Sequence, residues 1–160
     1  MKHLLYKCLP YLTGLIIAGI FAWLNLKFKL SFNNIKGLNE VFQSIIGFLS
    51  IVIGFYSAFY GMIISMTKSK FIIELKNSKY EKDLPKLLIS SLIFSFITLI
   101  ITILLQILVN YKNSYIVYVF YLWGFLLGVV IIYAFQTSLL SIAMVFYSDP
   151  VKKKTKTIKP

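Results

Sequence analysis

The chain contains no arginine, one histidine, one cysteine and five carboxylates in 160 residues. Each shortage excludes something. With Cys8 alone, no intramolecular disulfide forms; the thiol is either a buried or interfacial group or a site of S-acylation beside the first apolar run. His3 lies in a terminal arm without an acidic neighbour, so no metal-ligand spacing and no Ser/His/Asp set is available. Glu40, Glu74, Glu81, Asp83 and Asp149 all fall in predicted loops or helix ends. Nothing in their placement argues for a converging catalytic pair. No glycine-rich phosphate loop is present either. The expectation is a non-enzymatic protein with no cofactor and no metal. The missing arginine argues against direct nucleic-acid binding, because the planar guanidinium fork is the usual bidentate reader of phosphate and base edges.

Charge is scarce as well. Charged residues make up 14% of the chain, against ~25% in soluble domains. What fills the space is apolar: 59% hydrophobic and 17% aromatic, with mean hydropathy +0.82. The fold class that follows is all-α, an integral membrane four-helix bundle. The expected organisation is one transmembrane domain, residues 1–150, and a basic cytosolic tail, 151–160. Its net charge of +12 comes entirely from lysine, and is expected to serve topology and contact with anionic headgroups.

Four runs are long enough to cross a ~30 Å apolar layer: about 9–26, 41–66, 84–110 and 115–147. The N-terminal run has the basic start of a signal peptide but no convincing cleavage site, and reads as a retained anchor. Pro10 is expected in the first turn of helix 1 and Asn39 as the cap of helix 2. Asp83 and Pro85 form a start signal for helix 3. Helix 2 is expected to continue into the cytosol to about Asn77. Helix 4, too long for one crossing at ~1.5 Å per residue, is expected to leave the membrane near Gln136. Lysines divide unevenly: 13 fall in the N-terminal arm, the 67–86 loop and the tail, and 4 in the 27–40 and 111–114 loops. The positive-inside bias then puts both termini in the cytoplasm of a bacterial inner membrane.

Helix faces carry the remaining information. Gly47, Ser50, Gly54, Ser57 and Gly61 are spaced 3, 4, 3, 4, which places them on one face of helix 2. Gln43 and Ser65 extend that face at its two ends. Gly124 and Gly128 make a second small-residue pair on helix 4, and Gly14, Ala18 and Ala22 a third on helix 1. In lipid such faces let backbones approach closely, within one subunit or between copies in a homo-oligomer; spacing does not choose. Ser91, Ser95, Thr98, Thr102 and Gln106 form a hydroxyl and amide stripe on helix 3. It either lines a narrow path in an oligomer or bonds internally, to carbonyls four residues back or across helices. Apart from Lys86 at the start of the third, no span contains Asp, Glu, Lys, Arg or His, which argues against an ion-coupled carrier.

The 67–86 loop offers a docking surface for a cytosolic partner at Lys68, Lys70, Phe71, Ile72, Leu75, Lys76 and Lys79, with Leu139, Ile142 and Phe146 of helix 4 as apolar neighbours. Positive-inside bias alone accounts equally for the lysines.

From about Gly37 to Asp149 the chain resembles small four-helix inner-membrane proteins of bacterial phage-defence systems, such as RexB-like proteins and the Kiwa membrane subunit. The likeness rests on the Gly/Ser-rich second helix from Gly47 to Ser65, the basic turn Thr67-Lys68-Ser69-Lys70, the loop ending KYEKDLPK, the tight outer hairpin and the long fourth helix. It implies a sensor or pore component of anti-phage defence that works with a cytosolic effector. A holin-like or other small channel acting alone, and an accessory subunit of a larger membrane complex, are the alternatives.

Overall fold

The structure is a computed structural model. It describes residues 2–28, 35–65, 83–111 and 115–146, with side chains over 8–28, 35–65, 85–111 and 115–143. Four helices form: α1 (Lys2–Phe28), α2 (Leu38–Ser65), α3 (Asp83–Leu108) and α4 (Ile116–Phe146). All four are long and apolar enough to cross a membrane, and no strand occurs among the described residues. Large apolar side chains such as Leu15, Ile16, Ile51, Ile100 and Phe135 stand exposed around the bundle, as lipid-facing positions require.

Helix limits differ from expectation where backbone satisfaction overrides local signals. α1 begins at Lys2, so Pro10 sits well inside the helix and not in its first turn. A prolyl ring there removes one backbone bond. A chain that left the helix in lipid would orphan several groups, each costing several kcal/mol. Gly37, not Asn39, starts α2. Its φ of 77° turns the chain, and its carbonyl accepts from the Val41 N–H at 3.2 Å. Asn39 lies inside the first turn. The start signal of α3 is used as expected, with Pro85 in the first turn.

The spatial order is α1–α4–α3–α2. Neighbours run antiparallel: Gly14 meets Gly128, Thr102 meets Trp123, and Phe59 packs with Leu88. Trp123 anchors the main core. It stacks on Phe120 at 5.3 Å and takes Phe42 edge-on at 5.1 Å. Leu38, Leu105, Ile116 and Leu127 complete the buried cluster. Past Gln136, where the sequence suggested an exit from the membrane, α4 stays packed. Gln136, Thr137 and Ser141 are buried, and Leu140 lies against Phe59 and Leu88. The reason is length: α2 and α3 reach equally far at that end, so α4 keeps its cover. The proposed α2 continuation past Ser65 and the tail lie outside the described residues.

Candidate functional site

Three polar or small-residue faces were candidates, and the fold treats them differently. The α1/α4 contact is the closest. A Cβ added at Gly128 would lie 2.7 Å from Gly14 Cα and 2.9 Å from the Thr13 carbonyl oxygen. One added at Gly14 would lie 2.7 Å from the Phe125 carbonyl oxygen. Backbone touches backbone here, which only glycine allows. Gly124 makes room one turn away for the Phe21 ring, whose nearest atom is 2.5 Å from an added Cβ. The glycine pair of α4 therefore packs within the subunit. Beside it, Thr13 Oγ1 donates to its own helix at Pro10 and lies 3.4 Å from the Gly128 carbonyl oxygen.

The α3 stripe also points inward. Ser91, Ser95, Thr98 and Thr102 are fully buried. Each hydroxyl donates to the carbonyl four residues back, at 2.7–2.8 Å. That bond satisfies the donor without water and keeps the side chain short, so neighbouring helices come close. Thr102 also accepts the Trp123 indole N–H at 2.8 Å, tying α3 to α4. Gln106, the last member of the stripe, is half-buried. At the other end Tyr56 of α2 is fully buried. Its hydroxyl faces Thr137, Ser91 and Ser95 without reaching hydrogen-bond geometry with any of them. These hydroxyls line the inside of one subunit.

The α2 face does the opposite. Its buried residues are Leu38, Phe42, Leu49, Val52, Tyr56 and Phe59. Gly47, Ser50, Gly54, Ser57 and Gly61 are all exposed, as are Gln43 and Ser65. A Cβ added at Gly47, Gly54 or Gly61 meets nothing within 4 Å. Helix 2 is thus held to α3 by its large side chains, and its small-residue face packs against none of the described residues. The serines need no partner as donors: Ser50 gives its proton to the Ile46 carbonyl at 2.8 Å and Ser57 to the Ile53 carbonyl at 3.1 Å. Ile51 and Phe55 stand exposed along one side of the face. The result is an exposed, uncharged face of small residues along α2.

Sequence reasoning missed two cross-helix ties: Trp123 to Thr102, and Asn25 to the Tyr121 hydroxyl. Their signal was available, since a polar atom within an apolar span needs a partner. Lys68, Lys70, Phe71, Ile72, Leu75, Lys76 and Lys79 lie outside the described residues. Leu139 and Ile142 are exposed, and the Phe146 side chain is likewise outside the description. Among the described residues no cluster of three or more metal-ligating side chains occurs. Comparison with protein-family models, with curated proteins and with solved structures finds no match.

Proposed function

We propose that this chain is a non-enzymatic, multi-pass protein of the bacterial inner membrane that works as a homo-oligomer built on α2, with both termini in the cytoplasm. One observation carries the reading: the small-residue face from Gly47 to Gly61 is open along the helix while the other glycine face, Gly14 with Gly124 and Gly128, is consumed inside the subunit. Close approach of two such faces gains dispersion contacts that lipid tails do not supply as densely. The role is that of a sensor or pore component of anti-phage defence, coupled through the 67–86 loop to a cytosolic effector. That part rests on the architectural resemblance and on the lysine-rich loop. A pore in this assembly would be bordered by α2, whose small-residue face forms the contact between copies, and the α3 hydroxyls would stay inside each subunit.

The test is disulfide crosslinking in native membranes. In a Cys8→Ser background, single cysteines at Ser50 or Ser57 are expected to crosslink between copies, and one at Ile100, exposed on α3, is not. A monomeric native mass together with no crosslinks at Ser50 and Ser57 would sink the oligomer. Conductance across planar bilayers separates pore from sensor: a channel current should change in Ser57→Leu, and a silent bilayer removes the pore arm.

A further inference from the structure

Where α1 ends and α2 begins, a groove opens between the two helices. It follows from the spatial order, since α1 packs chiefly on α4 and α2 chiefly on α3. Leu24 of α1 faces Leu38 and Val41 of α2 across it, Phe120 and Trp123 of α4 form the floor, and its volume is about 220 Å³. The floor is fixed. Phe21 stacks on Phe120 at 5.2 Å, and the Trp123 N–H is held by Thr102 at 2.8 Å. A floor tied on two sides does not collapse to close the space. Among the described residues the lining is apolar except for Asn25, which donates to the Tyr121 hydroxyl beside it.

Depth and charge identify the occupant. The mouth lies at Ile35, in the turn that starts α2, and Trp123 stands about two helical turns below Ile116, ~10 Å along the axis. With the turn that starts α2 at the headgroup level, the groove runs from there into the apolar layer. Lys36, exposed, follows Ile35 at the mouth. Lys27, in the last turn of α1, rests its ammonium 4.7 Å from the Trp23 ring centre at the same end. Glu40 is the one carboxylate in the first turn of α2, so two ammonium groups outweigh it there.

We propose that this groove holds one acyl chain of an anionic phospholipid, with the phosphate beside Lys36 and Lys27. The site is independent of self-association through α2, which lies on a different face. Tryptophan quenching by brominated lipid tests it on the full chain. The protein has two tryptophans, so Trp23→Phe leaves Trp123, itself only 2% exposed, as the sole reporter. The variant is reconstituted in phosphatidylcholine vesicles doped with either acyl-brominated phosphatidylglycerol or acyl-brominated phosphatidylcholine. Trp123 is expected to be quenched by the anionic lipid at a roughly fivefold lower mole fraction, the weight of one lysine beside an anionic headgroup. Val41→Phe, which fills the groove, should abolish the quenching, and Lys27→Gln with Lys36→Gln should erase the preference without altering the fold. Equal quenching by both lipids overturns the anionic assignment. No quenching by either overturns the site, and assigns the space to the 29–34 segment or to a second copy.

Discussion

A glycine in this chain has two opposite meanings, and only its surroundings tell them apart. At Gly128 any side chain meets the backbone of α1, which cannot withdraw without moving the helix. Gly128→Leu is expected to destabilise the fold by ~1–3 kcal/mol or more, the usual effect of overpacking. It should appear as a lower unfolding midpoint in detergent and loosened α1. Tyr56 gives the converse case. Its hydroxyl is buried and makes no hydrogen bond, so it brings desolvation without return. Tyr56→Phe is expected to leave the unfolding midpoint unchanged or raise it slightly. A clear drop would mean that the hydroxyl is bonded to Ser91, Ser95 or Thr137 in the bilayer.

Helices were legible in the sequence because their signal is length without charge. Each of the four expected spans corresponds to a helix. Their ends were less legible. Pro10 and Asn39 carry local preferences of a few kcal/mol at most, and continuous backbone bonding in lipid outweighs these. The faces were readable as faces but not as contacts. The 3, 4, 3, 4 spacing of α2 and the similar spacing of α3 have equal periodicity; one points out and the other in. Their difference lies in the opposite sides. α2 offers Phe42, Leu49, Tyr56 and Phe59 as an alternative packing surface, and these bury more area than glycine does. At this scale Gly54→Leu is expected to leave the unfolding midpoint of the subunit unchanged, since an added Cβ meets nothing. It should shift the population toward monomer in native mass spectrometry or sedimentation. A fall in stability with no change in copy number would reverse the assignment of that face.

For the whole molecule, the proposed arrangement places the N-terminus, the 67–86 loop and the tail together in the cytoplasm. Cys8 reports on this directly, being the single cysteine and exposed near the start of α1. A membrane-impermeant maleimide is expected to label Cys8 in inverted vesicles and not in intact spheroplasts. Labelling from the outside would reverse the topology, and with it the side on which the proposed docking loop lies. The α1–α4–α3–α2 order also means that α1 and α2, although consecutive in the chain, each pack chiefly on another helix. The apolar groove lies between them, with Lys27 and Lys36 at the same end of the bundle.

Composition and hydropathy alone determined that this chain has four helices long and apolar enough to cross a membrane. Those properties are sums over residues, and lipid enforces them one helix at a time. The choice of neighbour was left to the tertiary structure. Small residues permit close approach without naming what approaches, so the outcome depends on which pairing buries the most bulk. Here Trp123, Phe42, Tyr56 and Phe59 went inward with the α3 hydroxyls, Gly128 met Gly14, and the Gly47 to Gly61 face was left to the membrane.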